Sequence, residues 1–141
     1  MLLEEEFGDL EHALVDYLAD QDWPADIGPV TVGITLPHDW TPASPGHVLV
    51  AVDDSTEMHA WQRPGALSQS ALVRLTGWGN AAPGTTQGSP SRAKRLTRLA
   101  HAAMMRYPAR PVSGVVPTTD PESRAPLATC TVQVTQHPQT I

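Results

Sequence analysis

Strict alternation of apolar and polar residues near the C-terminus constrains the fold most. Residues 128–135 read ATCTVQVT, so Ala128, Cys130, Val132 and Val134 share one side of an extended chain. A period of two is that of a strand with one face buried. The chain must therefore build a β-sheet, and other elements must cover the apolar face of that sheet.

Four further segments carry strand patterns: residues 30–36, 47–52, 71–78 and 112–116. The second of them is apolar on both faces, which predicts a central strand, or a strand whose second face another subunit buries. The connections are rich in proline, glycine, serine and threonine, and one of them, 117–126, is predicted to be a polar loop.

Apolar residues at helical spacing predict two amphipathic helices. The first covers residues 3–20, and its apolar side consists of Leu3, Phe7, Leu10, Leu14, Tyr17 and Leu18. The second begins after Ser89, a good N-cap followed by Pro90, and runs to about Tyr107. Its inward stripe is Ala93, Leu96, Ala100, Ala103, Met104 and Tyr107.

The order is therefore helix, three strands, helix, two strands. With 141 residues, one hydrophobic core is the expectation, so residues 1–141 are predicted to form a single domain. Strands that follow one another tend to pair antiparallel. We expect an α+β fold in which two helices pack on one face of a mostly antiparallel sheet of about four to five strands.

Charge is segregated along the chain. Thirteen of the fifteen carboxylates precede Arg63, whereas none of the nine lysines and arginines does. The predicted helices place these charges on outward faces, with Glu5, Asp9 and Asp16 on the first and Lys94, Arg95 and Arg98 on the second. These six residues are candidates for a subunit interface. They could equally pair within one chain, or form two separate solvated faces.

A long segment, residues 53–68, separates the second and third strands. Connections of this length are unusual between strands and are often functional. Met58 and Trp61 give the segment apolar side chains with which to contact a partner, and both are added to the candidate interface.

No catalytic, cofactor-binding or metal-binding residues are predicted. The six histidines are scattered, Cys130 is the single cysteine, and the nucleophile-elbow, P-loop and dinucleotide motifs are absent from the sequence. The basic face of the second helix could contact phosphates, but the net charge of −6 opposes nucleic-acid binding. The start of the chain lacks the features of a secretory signal, and no segment is apolar enough for a membrane span.

The layout of the whole chain resembles the tail-terminator or tail-completion proteins of long-tailed bacteriophages, particularly those of actinobacterial hosts. The segments that carry the resemblance are LEEEFGDLEHALVDYLAD, VTVGITLP, HVLVAV, SALVRLTGWG, SRAKRLTRLAHAAMMRY and VVPTTDPESRAPLATCTVQVTQ. The run D-P-x-S-x-x-P-L-A-T before the last strand is the most family-like of these features.

The resemblance implies a non-enzymatic virion protein, assembled in the host cytoplasm, that forms a ring of six or so copies. The ring would cap the head-proximal end of the tail tube, contact the tail tube protein and the head–tail connector, and let DNA pass without sequence-specific binding. Another neck or head-completion protein of the same fold class is the alternative. A small nucleic-acid-binding domain or a hydrolase is less favoured.

Overall fold

The structure is a computed structural model that describes residues 10–52, 57–58, 69–107 and 109–136. Its helices are α1 (Leu10–Ala19) and α2 (Pro90–Met104). Its strands are β1 (Val30–Gly33), β2 (Gly46–Val52), β3 (Glu57–Met58), β4 (Gln69–Trp78), β5 (Ala109–Thr119) and β6 (Pro126–Gln136). The predicted positions Leu3, Glu5, Phe7, Asp9 and Trp61 lie outside the described residues.

The sheet has the strand order β1-β2-β4-β6-β5, and the short β3 pairs with the start of β4. All pairings are antiparallel except that of β1 with β2. Both helices cover one face, α1 over β1 and β2 and α2 over β2, β4, β6 and β5. The α+β prediction is therefore confirmed, including the helices on one face.

The core lies between the helices and this face of the sheet. Leu14 and Leu18 of α1 are fully buried, and Leu96 and Ala100 of α2 are at most 1% exposed. They meet the alternating apolar residues of the strands: Val48, Val50, Val73, Leu75, Cys130, Val132 and Val134. The period-two pattern that predicted β6 thus marks the side of the sheet that faces the helices.

A buried hydroxyl holds α2 close to the sheet. Thr97 is fully buried, and its Oγ1 accepts a hydrogen bond from Gly77 N at 3.0 Å and lies 2.8 Å from Ala128 O. Gly77 is needed here, because a Cβ at this position would lie 2.4 Å from Thr97 Oγ1. Ser89 caps α2 by accepting from Arg92 N, as predicted.

Two strands differ from their predicted bounds by more than two residues. The segment predicted as 30–36 ends as a strand at Gly33, because the chain then crosses over to a parallel β2. His47 Nε2 lies 2.9 Å from Thr35 O and ties this crossover to the sheet.

The predicted strand 112–116 is also wrong in length, since β5 covers Ala109–Thr119 and takes up part of the predicted loop. Prolines at 111 and 117 mark a loop in sequence, but an edge strand tolerates them because one side of its backbone needs no partner.

Candidate subunit interface

The folded chain keeps its charges apart across the width of the sheet. Asp16 and Asp20 are exposed on α1 and its C-terminal end, above β1 and β2. Arg98 is exposed and Lys94 half-buried on α2, which lies over β2, β4, β6 and β5. Within the part of the chain that the structure describes, Asp16, Lys94 and Arg98 form no ion pair with one another. The structure therefore does not bring these three predicted interface residues together.

Arg95 differs from the other predicted interface cations, because it pairs within the chain. Its guanidinium forms a bidentate ion pair with the carboxylate of Asp26, with one of the two hydrogen bonds at 3.1 Å. The hydrogen bond from Arg95 lowers the pKa of Asp26, and the same contact raises the pKa of Arg95. Both side chains are about half exposed, at 45% and 64%. Sequence reasoning left open whether Arg95 pairs within or between subunits, and here its partner is internal.

Two further arginines of the second half contact the same acidic segment. Arg92 Nη2 donates to Ile27 O at 2.6 Å, and Arg106 Nη2 donates to Gln21 Oε1 at 2.9 Å. Residues 21–27 thus run along one side of α2, from its C-terminal end back to its N-terminal end. This side of α2 is occupied by the chain itself, which leaves Lys94 and Arg98 on the other side of the helix.

Within the predicted partner-binding segment 53–68, the structure describes Glu57 and Met58, which join the sheet as β3. The backbone of Met58 pairs with Gln69 in the ladder between β3 and β4. The side-chain contacts predicted for Met58 and Trp61 lie outside what is described, and they stay a prediction.

The free edge of the sheet at β5 was not singled out in the sequence. Val112 and Val116 on this strand are 54% and 55% exposed, and Arg110 is exposed beside them. Val112 falls within the first of two irregularities in the register, between Pro111 and Ser113, and has no partner residue on β6. The signal that could have located this edge is the pair of prolines, Pro111 and Pro117, in an otherwise β-prone run.

The sheet face opposite the helices is only partly covered. At one end the crossover loop lies on it, and the rings of Trp40 and Trp78 meet edge to face with centroids 5.6 Å apart. Further along, Leu72 and Arg74 of β4 are exposed on this face. The second apolar face predicted for β2 is thus partly open in a single copy, since Leu49 is half-buried and Ala51 is exposed.

A surface groove of about 910 Å³ lies beside the two tryptophans, between the crossover loop and the turn that joins β5 to β6. Trp78 Nε1 is buried and has no hydrogen-bond partner in the described chain. The turn itself is fixed by Asp120, which accepts from Ser123 N at 2.8 Å and from Ser123 Oγ at 2.7 Å. These hydrogen bonds lower the pKa of Asp120.

Burial disfavours the charged forms of His47 and Cys130. Burial lowers the pKa of His47, partly offset by its hydrogen bond to Thr35 O, and its Nδ1 lies 2.7 Å from Thr31 Oγ1. Burial raises the pKa of the Cys130 thiol to about 11. Among the described residues, no three His, Cys, Asp or Glu side chains cluster in a way that could hold a metal ion.

Comparison of the chain with models of known protein families gives no match, and comparison with curated proteins gives none either. No helix in the described ranges is long and apolar enough to cross a membrane.

Proposed function

We propose that this chain is the structural subunit of a ring that caps the head-proximal end of a phage tail tube, ends tube growth and joins the tail to the head. The site would then be an interface rather than a catalytic centre. In this role the ring contacts the tail tube protein on one side and the head–tail connector on the other. DNA passes through it without sequence-specific binding, and the protein is part of the virion.

The observation that carries this proposal is the difference between the two ends of the sheet. At the β1 end, the helix layer exposes Asp16 and Asp20. The flank of α2 away from segment 21–27 carries Lys94 and Arg98, and Arg110 lies on β5 at the other edge of the sheet. A contact that joins two different patches of identical subunits is heterologous, and it builds a ring when its rotation closes on the first subunit. Complementary charge is a direct way to specify such a contact.

The resemblance in layout is the second support for this role. The described helices and strands follow the order on which it was based, with the two-residue β3 added before β4. Apolar side chains left exposed at the β5 edge, Val112 and Val116, supply a surface that association would remove from water.

The test is assembly of the purified full chain. We expect light scattering and native mass spectrometry to give a closed oligomer of one defined size, and electron microscopy to show rings that bind one end of isolated tail tubes. A chain that stays monomeric at high concentration and binds no tubes contradicts the proposal. Rings that bind the connector but not the tube support instead the alternative, another neck or head-completion protein.

A further inference from the structure

The side of the domain formed by α2 and β5 has the exposed residues of an interface but no partner in a single copy. Lys94 and Arg98 lie on the flank of α2 that segment 21–27 leaves free, and neither has an ion-pair partner in the described chain. The edge strand β5 beside this helix is exposed over most of its length. We name Lys94 and Arg98 the basic side.

A partner strand cannot extend the sheet by backbone pairing with β5. Pro111 and Pro117 have no N–H to donate, and the register of β5 with β6 shifts between Pro111 and Ser113 and again between Ser113 and Val116. A neighbouring strand needs an unbroken row of donors and acceptors, and prolines and bulges on an edge strand remove it. A partner of β5 must therefore bind through side chains.

The charges indicate which partner fits. The outer face of α1 carries Asp16 and Asp20, both exposed and without an ion-pair partner in the described ranges. Asp26, by contrast, is already paired with Arg95. The outer face of α1 and the basic side lie over opposite ends of the sheet. The acidic face of one copy can therefore meet the basic side of the next copy, while the basic side of the first copy stays free for another neighbour.

We propose that the basic side binds the outer face of α1 in a second copy of this chain, through side-chain contacts of Asp16 and Asp20 with Lys94 and Arg98. This inference rests on the proposed ring and adds to it the identity of the two surfaces that meet. Arg95 is not part of the contact.

The experiment uses two charge-reversed full-length proteins. One carries Asp16→Lys and Asp20→Lys, and the other carries Lys94→Glu and Arg98→Glu. Each protein alone would bring like charges together at every contact, so we expect its dissociation concentration at about 0.1 M salt to rise roughly 30-fold. An equimolar mixture of the two restores opposite charges at every contact of an alternating ring, so it should assemble as the unaltered chain does.

The control carries Arg74→Glu and Arg124→Glu, which change the net charge on other exposed surfaces by as much as Lys94→Glu with Arg98→Glu does. It should assemble normally. The unaltered ring should also weaken between about 0.1 M and 1 M salt, because the screening length falls from about 10 Å to about 3 Å. Circular dichroism melting of each variant checks that the fold is retained.

The outcomes separate this inference from the function on which it rests. If the unaltered chain forms no ring, the proposed function fails. If it forms rings that neither reversal weakens, or if the mixture does not recover assembly, the ring stands and the assignment of its two surfaces is wrong.

Discussion

Thr97 is the residue by which the packing of α2 on the sheet can be tested most directly. Its hydroxyl is fully buried, accepts from Gly77 N at 3.0 Å, and has the carbonyl oxygens of Ala93 and Ala128 at 3.0 and 2.8 Å for its single proton. Thr97→Val keeps the shape of the side chain and removes these bonds. Thr97→Ser keeps the hydroxyl and removes one methyl group.

The expected magnitudes differ in a way that hydrophobicity alone would not give. Valine leaves a buried N–H of Gly77 without an acceptor, which costs about 1–3 kcal/mol. Serine loses the burial of one methyl group, about 1 kcal/mol. In a chain of this length 2 kcal/mol lowers the melting temperature by roughly 6 °C.

Thermal unfolding followed by circular dichroism, together with urea titration, measures both variants against the unaltered chain. We expect the free energy of unfolding to fall more for valine than for serine. A valine variant that is as stable as the unaltered chain, or more stable than the serine variant, would refute the view that this hydroxyl joins α2 to β4 and β6.

Three further predictions concern buried groups and backbone. Burial raises the pKa of Cys130 to about 11 from 9.0, so its thiolate fraction at pH 8 is about 100-fold lower than in the unfolded chain. Iodoacetamide should therefore label the folded protein at least about 100-fold more slowly than the protein unfolded in urea. Because the pKa of His47 is lowered in the fold, the unfolded chain binds the proton more tightly, so the free energy of unfolding should fall as the pH drops below about 6.5. That dependence should shrink in His47→Gln, and a variant that keeps the full slope would contradict the assignment. Gly79→Ala should destabilise strongly, because a Cβ there would lie 2.3 Å from Ser89 O, whereas Gly114→Ala, with nothing within 4 Å, should be tolerated.

The fold could be predicted from sequence largely because its elements have clear periods. β6 alternates from Ala128 to Thr135, and α2 has a capping serine, a proline at its first position and an apolar stripe. The structure describes both close to the predicted bounds. Thr97 was missed because a threonine within a helical stripe gives no sign that its hydroxyl reaches two strands.

Strand ends were harder to predict, since they depend on pairing. Residues 34–36 continue the alternation of β1, but the chain leaves the sheet at Gly33 to make its parallel crossover, and Ile34 is left 45% exposed. At β5 the reverse holds. Ladder partners on β6 as far as Pro126 keep the chain extended through Pro117 to Thr119, where proline and threonine alone indicate a loop.

The charge pattern shows most clearly what sequence order conceals. In sequence the acidic and basic halves are separate, which suggested that every outward charge of one helix was free to meet the other helix or a neighbour. In the fold, segment 21–27 returns along α2, so Asp26 forms an ion pair with Arg95. Arg92 donates a hydrogen bond to the backbone oxygen of Ile27, and Arg106 donates one to the side-chain amide oxygen of Gln21. A surface for a second copy must then be built from the charges that this internal pairing leaves over. Those charges lie over opposite ends of the sheet, which is the arrangement that a head-to-tail contact requires and a two-fold symmetric contact does not.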